Sequence, residues 1–129
     1  MQALANTLIC IVGLVHLLPV TGALSAHRLH ALYGVTLQDA NLEILMRHRA
    51  VLFGIVGGVL VASAFLSALR PVGLAVGLVS MLSFVVIAWL VGTYSAEVRR
   101  VVVVDVVMSV VLLGAALLDH FARTGAAGG

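Results

Sequence analysis

The chain has 129 residues and a formal net charge of +2 at pH 7, and 63% of its residues are hydrophobic while only 9% are charged. Its mean hydropathy of +1.24 lies outside the range of globular domains in water, so the composition points to lipid as the main solvent of the fold. The positive charges are seven arginines scattered along the chain, which excludes the clustered basic patch of a nucleic-acid-binding protein. A single cysteine, Cys10, excludes an intrachain disulfide.

Four apolar stretches follow one another along the chain, and each is about long enough to cross a hydrocarbon core of about 30 Å as a helix. They cover roughly residues 3–20, 46–69, 72–93 and 99–118. None shows the alternation of a barrel strand, and a backbone in lipid must satisfy its own hydrogen bonds, so all four are predicted to be helices. Residues 1–120 are therefore predicted to form one domain, followed by a flexible tail over residues 121–129.

The connection between the first two spans is the long one. Its residues 24–33 place leucines on one side and His27, Arg28 and His30 on the other, which predicts a short helix lying in the plane of the lipid headgroups. Thr36 and Asp39 have the spacing of a capping box, so the second helix is predicted to begin in this loop, before the membrane.

The remaining connections are short, which predicts an all-α integral membrane protein, an antiparallel four-helix bundle with Pro71 opening the third span. Gly54 with Gly58, and Gly73 with Gly77, have the spacing of helix-packing seams. By the positive-inside rule, the distribution of arginines predicts that both termini lie outside, in the periplasm. The face with loops one and three carries Arg28, Arg47, Arg49, Arg99 and Arg100, and the other carries Arg70 and Arg123. If Arg47 and Arg49 act inside the bundle, they do not count, and the excess of arginines on the first face falls to three against two.

Polar residues are concentrated at one end of this predicted bundle. In an antiparallel arrangement, the end of the first span meets the start of the second, the end of the third and the start of the fourth. The predicted polar cluster at this end consists of His16, Arg47, His48, Arg49, Tyr94 and Asp105. The far end holds Asp119 and His120, where both are predicted to reach water.

Two helices carry stripes of small and polar residues at helical spacing. On the first helix the stripe consists of Asn6, Cys10, Gly13 and His16, and on the fourth it consists of Asp105 and Ser109. Residues spaced three or four apart share a helix face, so both stripes are predicted to face the bundle.

Asp105 lies in the run VVVVDVV, and a charged residue near the middle of a membrane helix costs about 2.5–3.5 kcal/mol on insertion scales. We therefore expect it to pair with a cation. Glu43 precedes Arg47 by four residues and is placed to neutralise it, which makes Arg49 the first choice for Asp105. Arg47 remains the alternative because it lies on the glycine-lined side of its helix. Such a pair either fixes the register of the helices or belongs to a ligand site.

The segments GLVHLLPVTG, ALYGV, NLEILMRHRAVLFG and RRVVVVDVV together resemble a family of small proteobacterial inner-membrane proteins. The resemblance covers nearly the whole chain, and RHRAVLFG is its most specific part. In layout, with Gly-x-x-His near the end of helix one and a charged start to helix two, the chain also resembles the DoxX-like four-helix membrane proteins. That likeness implies a membrane subunit or accessory protein, in some cases linked to quinone-dependent oxidation, and carries over no catalytic residue.

Some members of the first family carry the label phosphopantetheine adenylyltransferase, but the residues of this chain argue against that activity. Such an enzyme is a soluble nucleotide-binding α/β protein with a histidine pair near a phosphate loop. This sequence has no Gly-rich phosphate loop, and it also lacks HExxH, CxxC and GxSxG motifs.

The sequence thus predicts a small bacterial inner-membrane protein with a polar pocket at one membrane interface. The first hypothesis is that the pocket binds a lipid-like or quinone-like molecule, or that the protein is an accessory subunit of a larger membrane complex. The alternatives are a membrane enzyme using His16 or Asp105 as proton carrier, and a purely structural bundle. No metal or resident cofactor is predicted. A b-type haem between His16 and His48 is the alternative, disfavoured by the bulky valines and the lone histidine on each helix.

Overall fold

A computed structural model of the chain describes residues 1–24, 27, 30 and 39–127. These residues contain four long α-helices and no strand: α1 Gln2–Leu17, α2 Ala40–Phe65, α3 Arg70–Val91 and α4 Ala96–Ala127. A 3-10 segment, Leu18–Ala23, prolongs α1, and a 3-10 turn, Ser67–Leu69, joins α2 to α3. All four helical stretches are long and apolar enough to cross a membrane, as the hydropathy pattern predicts. The predicted interfacial helix lies almost entirely outside the described residues.

The helix starts follow local sequence signals. Helix α2 begins at Ala40, which confirms that it starts inside the long loop. Asp39 is its N-cap, and the carboxylate accepts a hydrogen bond from the Asn41 backbone N–H at 2.8 Å. Thr36, the other half of the predicted capping box, lies outside the described residues. Pro71 falls in the first turn of α3, where its missing N–H has no helical partner to lose.

The C-terminal helix extends farther than the hydropathy pattern predicts. Residues 121–127, which were assigned to a flexible tail, continue α4 as far as Ala127. Contacts one turn apart support this extension. The Arg123 side chain contacts Asp119 at 2.9 Å, and the Thr124 hydroxyl donates to the carbonyl of His120 at 3.1 Å.

All four helices contribute to one apolar core. Helix α1 packs against α2 and α4, and α3 packs against the same two helices. The core side chains are Ile9 and Val12 from α1, Leu60 and Ala64 from α2, Met81 from α3, and Leu112 and Ala115 from α4. The outer surface is also apolar. Large exposed side chains include Ile55, Val79, Ile87, Trp89, Leu90 and Val110. A continuous apolar exterior of this kind is rare on soluble monomers and is typical of helices that face lipid.

Helices α1 and α2 approach closely where two glycines meet. A Cβ atom on Gly57 would lie 2.8 Å from the carbonyl oxygen of Gly13, and one on Gly13 would lie 2.9 Å from the backbone nitrogen of Val61. Gly58 has open space where its Cβ would be, although the sequence predicted it as a packing residue. One residue turns a helix by about 100°, which moves the seam from Gly58 to Gly57. The other predicted packing glycines, Gly54, Gly73 and Gly77, all contact a neighbouring element.

We expect Gly57→Ala to lower the free energy of unfolding by about 1–3 kcal/mol, because the new methyl group overpacks a contact between two backbones. Gly58→Ala is the matched control, since it adds the same methyl group one residue away in open space. There the higher helix propensity of alanine should leave stability unchanged or raised by up to about 1 kcal/mol. Circular dichroism during sodium dodecyl sulfate titration in mixed micelles measures the unfolding midpoint of each variant. Equal midpoints for the two variants would contradict the close approach at Gly57.

Candidate ligand site

A cavity of about 310 Å³ lies between α1, α2 and α4, near the end of α1 and the start of α4. Its lining residues are Val15, His16, Leu18, Pro19, Phe53, Glu97, Arg100, Val101, Val104 and Asp105. The volume is at the lower end of the range for small-molecule sites, about 300–1,000 Å³. Most of the wall is apolar, so the few polar groups determine which molecule can be held and in which orientation.

His16 lines this cavity, and one of its ring nitrogens is buried without a partner among the described residues. The side chain is only 4% exposed. Its Nδ1 lies 3.0 Å from the carbonyl oxygen of Val12, one turn earlier in α1. Because a carbonyl only accepts, Nδ1 carries the hydrogen, and in the neutral ring Nε2 is then an acceptor. Nε2 is buried and makes no hydrogen bond to any described residue. The ring also packs against Phe53, with 5.9 Å between the ring centroids.

Asp105 lines the same cavity and also has a buried acceptor without a partner. The residue is 7% exposed, and its Oδ2 is buried with no hydrogen-bond partner among the described residues. The nearby Ser109 hydroxyl donates at 2.7 Å to the backbone carbonyl of Asp105 and not to its carboxylate. His16 and Asp105 therefore do not satisfy each other. A buried polar group left without a partner costs about 1–3 kcal/mol, so each of these two acceptors lowers the stability of the fold unless a donor reaches it.

Arg49 lies beside the cavity, and Phe53 is in contact with both. The guanidinium carbon is 5.1 Å from the centroid of Phe53 and 4.5 Å from that of Phe84, which are cation–π distances. The charge of Arg49 acts electrostatically on Asp105, but the buried Oδ2 receives no hydrogen bond from it. The guanidinium also borders a smaller cavity of about 210 Å³ between α2 and α3.

The other three members of the predicted cluster lie outside the cavity. Arg47 is exposed, contacts Glu43 at 3.2 Å and donates to the carbonyl of Ala23 at 2.9 Å, which confirms the predicted local pair. His48 and Tyr94 are exposed on α2 and just after α3. Six predicted residues thus reduce to two in the cavity, His16 and Asp105, with Arg49 next to them.

The arrangement bears on the haem and metal alternatives as well. His48 does not line the cavity that holds His16, so the two histidines are not placed as a pair of axial ligands across it. Among the described residues, no group of three or more His, Cys, Asp or Glu side chains is placed to hold a metal ion.

A second polar site lies at the opposite end of the helices, and the sequence reasoning missed it. Arg70, the first residue of α3, is 4% exposed and forms a buried ion pair with Asp119 of α4. Its guanidinium also donates to the side chain of Asn6 in α1 at 2.8 Å, and to the carbonyls of Ser63 and Ala64 at 3.3 Å each. One arginine therefore connects all four helices.

Two further side chains complete this Arg70–Asp119 network. The amide of Gln2 donates to Asp119 at 2.9 Å and to Asn6 at 3.1 Å, and Arg123 contacts the second carboxylate oxygen of Asp119 at 2.9 Å. The network thus provides partners for both oxygens of the buried carboxylate. Arg70 and Asp119 have opposite charges at helix ends that meet in an antiparallel bundle, and this signal in the sequence could have revealed the pair.

We found no match to this chain among protein-family models, curated proteins or solved structures. The resemblance to the small proteobacterial family and to DoxX-like proteins therefore stays a prediction from the sequence motifs. The function has to be inferred from the residues of the site itself.

Proposed function

We propose that the chain is an integral membrane protein, an antiparallel four-helix bundle, whose cavity between α1, α2 and α4 binds the polar end of a lipid-like or quinone-like molecule. The observation that carries the proposal is a pair of buried, unpartnered acceptors, His16 Nε2 and Asp105 Oδ2, in two residues that line one apolar cavity. Buried polar groups in proteins nearly always have partners, so each exception needs an explanation. A bound molecule supplies one.

Contacts at both ends of the helices support the antiparallel arrangement. Gln2, at the start of α1, bonds Asp119 near the end of α4, whereas His16 near the end of α1 shares a cavity with Asp105 in the first half of α4. Arg70 at the start of α3 likewise bonds the carbonyl of Ser63 near the end of α2. Short connections between consecutive helices favour the same topology.

The exposed apolar surface supports insertion in a membrane. On all four helices, large aliphatic and aromatic side chains point away from the core, a pattern that water would penalise and lipid would not. The bacterial inner membrane, with both termini in the periplasm, remains our proposal for the location, based on the distribution of arginines.

Two features of the cavity favour an amphiphile. Leu18 and Val104 line the cavity and are also exposed on the helix surface, so the space opens between helices toward the outside of the bundle. A molecule bound with its polar end at Asp105 can therefore extend an apolar chain into the surrounding lipid. The valines along the wall match such a chain in polarity.

A purely structural role explains this site less well than ligand binding does. The Arg70–Asp119 network already links the four helices, and it satisfies its buried charges with hydrogen bonds and ion pairs. At the other end, Nε2 of His16 and Oδ2 of Asp105 connect no helices by hydrogen bonds and lower stability unless a donor reaches them. A group retained only for stability is expected to be paired, as Asp119 is.

The test is to identify small molecules that co-purify with the protein. We expect mass spectrometry of organic extracts to show one amphiphilic compound enriched over the bulk lipids. Val104→Phe, which fills the cavity, should remove it. Val103→Phe is the matched control because Val103 is the neighbouring residue on α4, is 56% exposed and does not line the cavity. Enrichment of no compound, or equal amounts in both variants, would count against the proposal.

A further inference from the structure

We infer that the molecule bound in this cavity presents a hydroxyl group, as hydrogen-bond donor, to His16 and Asp105. The site should therefore discriminate against the same molecule with that hydroxyl capped as an ether. This inference rests on the proposed function and specifies the chemistry of the ligand end that is buried. It follows from the hydrogen-bond donors and acceptors on the residues that line the cavity.

The two buried polar residues of the cavity wall, His16 and Asp105, offer acceptors only. The one hydrogen on the neutral His16 ring is donated to the carbonyl of Val12, which leaves Nε2 as an acceptor without a donor. The Asp105 carboxylate contributes Oδ2, and an ionised carboxylate has no hydrogen to donate. The nearby hydroxyl of Ser109 already donates its hydrogen to the backbone carbonyl of Asp105.

Arg100 is the charged donor among the lining residues, and it is exposed whereas Asp105 is buried. Glu97 and Arg100 both line the cavity near the start of α4. Arg100 is five residues before Asp105 in the sequence, or roughly 7.5 Å along the helix axis at 1.5 Å per residue. The buried Oδ2 receives no hydrogen bond from it. A ligand thus meets two charged side chains on the less buried part of the wall, and acceptors at the buried residues His16 and Asp105.

This pattern selects among the polar groups that lipid-soluble molecules carry. A carbonyl, an ether or a phosphate oxygen would place lone pairs against the lone pairs of Nε2 and Oδ2, and neither acceptor would be satisfied. A hydroxyl donates to one acceptor, and a second hydroxyl or a bound water can donate to the other.

An ammonium group also donates hydrogen bonds, but the surroundings disfavour it. Arg49 stacks on Phe53, a residue of the cavity wall, and its positive charge already acts on Asp105. A second cation at Asp105 would meet that charge at close range and would lose its hydration in an apolar cavity. A neutral donor avoids both costs.

Hydroxyl groups on membrane-soluble molecules come from two sources, an aromatic ring such as a phenol or hydroquinone, and an aliphatic alcohol such as the glycerol of a lipid. The same experiment distinguishes them with two pairs of probes. The aromatic pair is 4-dodecylphenol and its methyl ether, and the aliphatic pair is 1-dodecanol and its methyl ether. The members of each pair differ in one hydrogen-bond donor and keep the same apolar chain.

Native mass spectrometry of the full chain in detergent gives the fraction bound for each probe. We expect the phenol, the alcohol or both to bind about tenfold or more tightly than the corresponding ether, the ratio that one buried hydrogen bond supplies. Preference within the aromatic pair alone identifies an aromatic hydroxyl. Preference within the aliphatic pair alone identifies an aliphatic hydroxyl such as that of a lipid, and preference within both pairs means that the site accepts either kind of hydroxyl.

Variants test whether this preference comes from the two acceptors. His16→Leu with Asp105→Leu should bind each hydroxyl and its ether equally, while Val103→Phe should keep the wild-type ratio. If the double variant does not fold by circular dichroism, each single variant is measured instead, with a reduced ratio expected. Equal binding within both pairs by the wild type, or a ratio unchanged in the variants, overturns the inference and leaves ligand binding intact. Failure of all four probes to bind the wild type counts against the proposed function itself.

Discussion

Arg70→Gln is expected to lower the free energy of unfolding by about 3–5 kcal/mol, because it removes one partner of a buried ion pair and leaves the other charge in place. Arg70 is buried and connects Asp119, Asn6 and two carbonyls at the end of α2, so the substitution loses contacts to α1, α2 and α4 together. Sodium dodecyl sulfate titration in mixed micelles, followed by circular dichroism, measures the change.

Arg123→Gln is the matched control for this prediction. Arg123 contacts the same carboxylate, at 2.9 Å, but its side chain is 50% exposed. Exposed ion pairs contribute about 0–1 kcal/mol, so the control should be close to wild type. In a double-mutant cycle, Arg70→Gln combined with Asp119→Asn should cost less than the sum of the single changes. Equal effects of the two arginine variants, or simple additivity, would contradict a buried pair that links the helices.

Asp105→Leu is expected to raise the free energy of unfolding of the ligand-free protein by about 1–3 kcal/mol, since it removes a buried acceptor that has no hydrogen-bond partner. The same substitution at Asp119, in the same helix and equally buried, should lower it by about 3–5 kcal/mol because Arg70 would lose its charge partner. Changes of opposite sign in the free energy of unfolding would distinguish Asp105, proposed to bind a ligand, from Asp119, which stabilises the fold.

The measurement uses protein extracted and washed until no small molecule remains in the organic extract. Both variants are compared with wild type in the same titration. If Asp105→Leu and Asp119→Leu lower stability by similar amounts, Asp105 has a stabilising partner within the protein. Its buried oxygen would then give no support to ligand binding.

The helices could be predicted from the sequence more fully than the sites. Long apolar runs decide where helices form in lipid, and local signals such as Asp39 and Pro71 decide where two of them begin. The stripe spacing also placed His16 and Asp105 on buried faces. The choice between Gly57 and Gly58 depends on helix rotation, which the sequence specifies only through packing against all neighbours at once.

The partners of the charged residues were harder to predict because each charge had several candidates of opposite sign. Arg49 was the predicted partner of Asp105, and its charge acts on that carboxylate, but its guanidinium also packs on Phe53 and Phe84, and an aromatic partner leaves no charge pattern in the sequence. Asp119 was expected to reach water because it lies near a helix end. Its burial follows from Arg70, Asn6 and Gln2 converging there from two other helices.

The central claim is that a molecule with an apolar chain binds between α1, α2 and α4 with its polar end at His16 and Asp105. Photo-crosslinking tests it most directly, with a long-chain phenol that carries a diazirine beside the ring, followed by peptide mapping of the adducts. We predict adducts on the cavity wall, at Val15, Phe53, Val101 or Val104, and their loss in Val104→Phe but not in Val103→Phe. Adducts spread evenly over exposed apolar residues such as Ile55, Val79 and Val110, and unchanged in Val104→Phe, would contradict it.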